Sequence, residues 1–501
     1  MLKQKFILAF GAKLGIALIT AVTGIVVARL AGPEVVGTIG YATAFVSIFA
    51  FITSLFGPAH VKLVSEGQNE ADCLKTYAVL QVISVACFSS GVLIYLAIQK
   101  YLFGHQFENP RMFFVICITL ITVSIGNFFI FSQTVFDAKT EQVKANAPEF
   151  LRSILYSVLR IAVVALSMGV VALALTNLLS CLVVIPYAYF LLRKLSFGKF
   201  DSALAKKYLL IAYPILSIVI VQSLMTYSDK IILEYFGDTK QIGYYSAAFS
   251  IGGMLILLGN TIGTLFFPIF SSLLAKNDTA QVASKIFQFE RFIFIFILPI
   301  IMGLSLFAYP IITTLLSSRY TASAPMFSLL VFSSFFIIWG MPYANVISAL
   351  GLFWLSSKIY FINFFVFSIT LLVCIHPNLF NMGGLALAIT QVVMNLFLFL
   401  AYYFFAWKKI NVQFIKEQLK FILFWVILYG LGHYLLIPNL DNFSKFTSSF
   451  VFFPLFLILI YVLYVLFGLL KRSDVAILFQ LLNPKASLQY VRSELKQEET
   501  K

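Results

Sequence analysis

Apolar runs recur along the chain, separated by short polar stretches or by glycine and proline, and each run is long enough to cross a bilayer. A spanning helix needs about 20 mostly apolar residues. Fourteen such runs are centred near Ile19, Phe49, Val85, Val123, Leu159, Cys181, Val221, Leu257, Ile297, Phe335, Phe367, Val393, Val426 and Leu459. They are too continuously apolar for barrel strands, so the pattern predicts an all-α polytopic membrane protein of about fourteen transmembrane helices. An even number of spans puts both ends on one side of the membrane.

Polar residues inside these runs are the next signal. Between Tyr213 and Phe249, Gln222, Thr226 and Asp229 recur at helical spacing, with Ser223, Tyr227 and Lys230 on the adjacent row, which makes a broad polar stripe on an apolar helix. A charge near the bilayer centre costs about 2.5–3.5 kcal/mol, so such residues face protein or water. Two readings stand. The stripe walls a transport cavity, or Asp229 bonds a neighbouring helix while Lys230 reaches the headgroups.

In the first run Lys13 shares a strip with Ala17, Thr20 and Gly24. Arg29 is turned about 160° away on a straight helix. Lys13 and Thr20 are therefore the expected cavity residues of that helix, the alternative for Lys13 being to snorkel to the inner headgroups. Arg160 is a third intramembrane cation, either substrate-facing or structural.

Composition narrows the class. With 61% hydrophobic and 11% charged residues and a mean hydropathy of +0.97, a soluble fold is excluded. Most of the 35 Lys and Arg fall in the segments that share a side with the N-terminus, so both termini are expected in the cytoplasm. That bias accounts for the net charge of +15 without a nucleic-acid partner, and the inner face is expected to meet anionic lipid. Lys3 and Lys5 before an apolar run imitate a signal peptide, but the run carries Lys13 and is read as a retained first helix. The five cysteines are scattered and suggest neither disulfides nor a metal site. No catalytic motif with its required spacing is found, so the expectation is a non-enzyme without a cofactor.

A repeat organises the chain. Ala28 to Phe45 reads ARLAGPEVVGTIGYATAF, and Leu233 to Phe249 reads LEYFGDTKQIGYYSAAF. In both, a helix stops at a glycine and, after a polar turn, another begins that carries Tyr, Ala and Phe. The offset is about 204 residues. It predicts two pseudo-symmetric six-helix lobes, 1–205 and 206–410, two extra helices in 411–472, and a cytoplasmic surface segment and disordered tail in 473–501.

At these two motifs the chain resembles the polysaccharide flippases of the multidrug/oligosaccharidyl-lipid/polysaccharide exporter superfamily, specifically the Wzx-type O-antigen flippases. The resemblance implies two lobes around a central cavity in a bacterial inner membrane. It also implies movement of an undecaprenyl-pyrophosphate-linked oligosaccharide from the inner to the outer leaflet by alternating access. Membrane lipids, a polysaccharide polymerase and glycosyltransferases would be the partners. Lys13, Lys230 and Arg160 would meet the pyrophosphate, and Gln222 and Thr226 the sugar. Asp229 is the candidate to couple transport by loading Na⁺ or a proton. The rival readings are a multidrug or cation antiporter of the same superfamily, and a membrane glycan polymerase or ligase.

Overall fold

The computed structural model describes residues 2–102, 111–139, 141–236, 238–410, 416–435 and 451–470, and among them there are helices and no strand. In chain order the helices are α1 (Leu2–Ala31), α2 (Pro33–Ser47), α3 (Phe51–Ser54), α4 (Gly57–Ser65), α5 (Glu70–Tyr101), α6 (Met112–Ala138), α7 (Gln142–Ala165), α8 (Gly169–Leu192), α9 (Ser202–Phe236) and α10 (Thr239–Gly252). They continue as α11 (Met254–Ala275), α12 (Thr279–Phe292), α13 (Leu298–Leu306), α14 (Ala308–Leu315), α15 (Ser323–Ala349), α16 (Phe353–Ile375), α17 (Gly384–Ile410), α18 (Lys416–Leu435) and α19 (Phe453–Leu466). The segment 473–501 lies outside the described residues.

Among the described residues, eight helices are long and apolar enough to cross a membrane, or nine if one bent pair counts as a span. Two of the remaining apolar runs are interrupted. The second run breaks into α2, α3 and α4 with a bend of 57°. The eighth is divided at Gly253, between α10 and α11. Hydropathy averages across such breaks, because each break keeps its apolar side chains.

The chain divides into two compact units. Among the described residues, one comprises those of 2–250 with 360–387, and the other those of 251–359 with 388–470. In the first unit α1 packs along α7, α8 against α6 and α7, and α2 against α6 and α9. A buried aromatic stack joins α4, α5 and α9: the His60 and Tyr77 rings lie 4.5 Å apart, and His60 Nδ1 is 2.8 Å from the Tyr208 hydroxyl. α16 runs beside α9, since Gln222 hydrogen-bonds Tyr360, the Phe236 and His376 rings are 5.7 Å apart, and Gly384 N donates to Gln241 Oε1 at 3.2 Å.

The two echoed motifs meet in this unit. Gly32, at φ 85°, allows the sharp exit from α1 into α2, a backbone conformation that suits glycine. Where α2 crosses α10, a Cβ on Gly37 would fall 1.9 Å from the Thr239 carbonyl oxygen, and one on Gly243 would fall 1.8 Å from that of Pro33. Only hydrogens fit there, and they point at carbonyl oxygens as reciprocal Cα–H···O contacts do.

The second unit is built around α12 to α15, α18 and α19. α12 passes into α13 through a π-helical stretch, Ile293–Ile297. The Tyr464 hydroxyl donates to the Phe294 carbonyl at 2.9 Å and accepts from Trp425 Nε1 at 2.6 Å, so α18 and α19 are tied to the irregular turn. One helical turn earlier sits Glu290, 2% exposed. Its carboxylate accepts from Trp339 Nε1 at 2.8 Å, from the Tyr343 hydroxyl and from Gln418 Nε2.

Three neutral donors from α15 and α18 thus converge on one buried acid. Glu290→Ala would take this acceptor from all three, and a buried donor that loses its acceptor costs about 1–3 kcal/mol. Thermal unfolding of the purified protein is expected to fall by several degrees in Glu290→Ala and by much less in Glu290→Gln, which keeps one acceptor oxygen. Equal melting of Glu290→Ala and the parent would remove this cluster from the stability of the unit.

Candidate functional site

A cavity of about 600 Å³ opens within the first unit, walled by the break after α2 and by α6, α7, α8 and α9. Its position follows from local backbone. The α2–α3 break leaves carbonyls that a continuous helix would consume, and Ser223 Oγ of α9 donates to one of them, Ile48 O, at 2.9 Å. α9 is thereby held with Gln222 and Thr226 facing the space.

The opposite wall carries a charged pair. Arg152 on α7 donates through Nε to Glu149 Oε2 at 2.8 Å and through Nη2 to Glu149 Oε1 at 2.5 Å. Its Nη1 donates to Asn177 Oδ1 of α8 at 2.8 Å, and the guanidinium lies 5.9 Å from the Phe129 ring centre. The bidentate fork and the amide occupy most of the guanidinium's donors. As a pair, Arg152 and Glu149 add no net charge to the wall.

Much of the remaining polar lining is neutral. Asn127, Gln133, Asn177 and Gln222 supply amides, Thr53, Thr226 and Tyr227 supply hydroxyls, and Phe51 and Phe129 supply aromatic faces. Amides and hydroxyls both donate and accept, which suits a hydroxyl-rich ligand, and a volume of this order is typical of small-molecule sites.

The residues singled out from sequence separate here. Gln222 and Thr226 line the cavity. Asp229 and Lys230 lie farther along α9 and outside its lining. Asp229 is 1% exposed; its Oδ1 accepts from the Lys230 backbone N–H at 2.7 Å, lies 3.5 Å from Lys230 Nζ, and its carboxylate bonds Tyr245. Lys230 Nζ stands 5.4 Å over the Tyr245 ring. Glu234, one turn on, bonds Tyr41 of α2. The charged end of the stripe is thus packed where α9 meets α2 and α10.

Arg160 stacks 5.0 Å from the Tyr156 ring and does not line the cavity. Thr20 is exposed on α1 and is likewise absent from the lining. Lys13 falls within α1, but its side chain lies outside the described residues. Arg152 and Glu149, by contrast, carry no mark in a hydropathy reading, which counts Arg152 with the cytoplasmic loop cations. Their spacing of three on α7, opposite Asn177 in an otherwise apolar α8, is the signal that could have found them.

The family described as polysaccharide biosynthesis protein matches residues 26–325. An uncharacterized membrane protein of Methanocaldococcus jannaschii is 23% identical over 216 residues, which covers 43% of this chain and 41% of that one. The chain therefore spans less than half the length of that relative. Among solved structures, a lipid II flippase MurJ in an inward closed conformation superposes with TM-score 0.69 at 15% identity, covering 95% of this chain and 99% of that one. An inward-facing multidrug resistance MATE family transporter superposes with TM-score 0.61 at 15% identity, covering 79% and 94%. At this identity the likeness concerns the fold.

Proposed function

Because the chain belongs to the polysaccharide biosynthesis protein family, and its fold is that of solved flippase and transporter structures, we propose that it moves a polyprenyl-pyrophosphate-linked oligosaccharide from the inner to the outer leaflet of a bacterial inner membrane. The observation that carries this reading is the cavity of amides and hydroxyls inside a unit of apolar helices. Such a lining exchanges hydrogen bonds with sugar hydroxyls at each step, and it involves no covalent chemistry. A cation-selective antiporter would instead be expected to present unpaired carboxylates, whereas Glu149, the carboxylate on this wall, is held by Arg152.

Asp229, deeply buried beside a single lysine, remains our candidate to couple transport to Na⁺ or a proton. The cytoplasmic placement of both termini and the repeat of 1–205 in 206–410 belong to the same proposal, as do a polymerase and glycosyltransferases as partners.

The test is the leaflet distribution of lipid-linked glycan in cells lacking the protein and in cells where it is restored. Cytoplasmic-side accumulation, relieved on restoration, is the expected result. Normal delivery to the outer face with failed polymerisation would favour a polymerase or ligase. An unchanged glycan pool would overturn the proposal and leave drug transport.

A further inference from the structure

Where α4 and α6 end and α5 begins, a cavity of about 350 Å³ opens in the first unit beside the linker that leads from α8 to α9. The linker is fixed there. Gly198 N donates to Ala71 O at 2.9 Å, Lys199 N to Asp72 Oδ1 at 2.8 Å and Asp201 N to the Thr76 hydroxyl at 3.3 Å. A Cβ on Gly198 would fall 2.2 Å from Asp72 Oδ1 and 2.8 Å from the Ala71 carbonyl carbon, so the linker backbone lies directly on the first turn of α5. Lys194 and Ser196 are thereby held at the cavity, opposite no mobile tether.

His60 supplies a buried donor. It is 2% exposed, and its Nδ1 is 2.8 Å from the Tyr208 hydroxyl, whose other acceptor, Cys73 O, is 3.3 Å away. The hydroxyl has one proton, and the nearer and more basic imidazole nitrogen takes it. The ring's own proton then sits on Nε2. Tyr208 stands outside the cavity lining and His60 within it, so the edge that carries Nε2 is the one turned to the cavity. That nitrogen has no partner among the described residues, and it is not one of the sealed polar atoms. A buried N–H in this state calls for an acceptor.

Charge identifies the kind of acceptor. Lys139 Nζ lies 2.5 Å from Glu70 Oε2, so these two lining residues cancel. Lys194 rests 4.6 Å over the Phe190 ring and meets no carboxylate among the described residues. With the imidazole neutral, the lining carries one net positive charge, and the N-terminus of α5 adds its partial charge. A singly charged anion balances that. A phosphodiester carries one negative charge, and its tetrahedral oxygens accept from donors on different elements, here His60 of α4 and Lys194 and Ser196 of the linker. Val64, Leu74 and Val135 give apolar cover to its ester carbons. The volume exceeds that of a bare ion and suits one small ligand.

We propose that this cavity binds a phosphodiester, the group shared by phospholipid headgroups and their water-soluble glycerol diesters. Lys194 neutralises it, and the His60 Nε2–H and the Ser196 hydroxyl donate to its oxygens. The residues concerned are distinct from those of the polar cavity. The inference is independent of which substrate that cavity takes.

The experiment uses the full-length protein in dodecyl maltoside, with native mass spectrometry counting bound dioleoylphosphatidylglycerol or its deacylated headgroup, glycerophosphoglycerol. One molecule is expected to bind tightly. Lys194→Gln, at an exposed position, should weaken it roughly tenfold, the scale of a lost hydrogen bond between charged groups. His60→Asn keeps an atom for Tyr208 where Nδ1 stood but lacks Nε2, and should weaken it roughly fivefold. Unchanged thermal unfolding is the check on folding. Glu70→Gln frees Lys139 and should tighten binding. Binding of the lipid alone, lost in these variants, supports the site and assigns it to a membrane headgroup. Binding of glycerophosphoglycerol as well, lost in the same way, supports it for the diester itself. No binding of either ligand, or binding that Lys194→Gln and His60→Asn both leave unchanged, would overturn the site.

Discussion

Gly243→Ala is expected to separate α10 from α2 and to lower glycan export at least tenfold. The added methyl would have to occupy a point 1.8 Å from the Pro33 carbonyl oxygen, and the same holds for Gly37→Ala at 1.9 Å from the Thr239 oxygen. In both cases the obstacle is backbone, so no rotamer change relieves it and the helices themselves must shift. Overpacking a well-packed contact costs about 1–3 kcal/mol, and these two lie at the upper end.

Two other glycines calibrate the effect. Gly40→Ala would meet Ser246 Oγ at 2.9 Å, which a rotation of the serine relieves, and Gly24→Ala would meet nothing within 4 Å. The expected order of damage, in export and in thermal unfolding, is Gly243 and Gly37, then Gly40, then Gly24. Parent-like melting and export in Gly243→Ala would mean that α2 and α10 do not pack closely in the membrane.

Arg152→Gln is expected to have the second largest effect, again at least tenfold on export. It removes the partner of Glu149 and a donor to Asn177. Breaking a fully buried ion pair costs about 3–5 kcal/mol. Here the side chains keep 21% and 32% exposure, which places the loss nearer 1–3 kcal/mol by comparison with exposed pairs.

The double variant Glu149→Gln with Arg152→Gln separates two roles. Paired amides restore neutral hydrogen bonding across the same gap. If melting recovers and export stays low, the guanidinium acts on the substrate. Recovery of both makes the pair a brace for α7, and the site then rests on the amides and hydroxyls.

These two positions also mark how far the sequence could be read. Gly37 and Gly243 stand out in one line of letters, because each falls just past the turn in one of the two copies of the motif, at the fifth position of α2 and of α10. Their meeting across α2 and α10 is a long-range contact that no local pattern encodes. Arg152 reads as one more cation of a cytoplasmic segment, since hydropathy windows average Gln142–Arg152 with its polar neighbours. Only packing of α7 beside α6 and α8 carries its side chain to Asn177.

The stripe on α9 shows the same division within one helix. Its spacing places Gln222, Thr226 and Asp229 on neighbouring rows, and Gln222 and Thr226 do line the cavity. Asp229 and Lys230 are turned instead to Tyr245, because the seam of α2 and α10 closes over that end of α9.

By itself, then, the sequence determined that the chain is a helical membrane protein and which faces of its helices are polar. Those properties follow from the transfer energies of individual side chains and the 3.6-residue repeat, which are local. The tertiary structure decided which polar faces share a cavity, which are sealed in a helix crossing, and where a bent span frees carbonyls. Those outcomes depend on the close packing of segments far apart in the chain, where one absent Cβ sets how near two backbones can come.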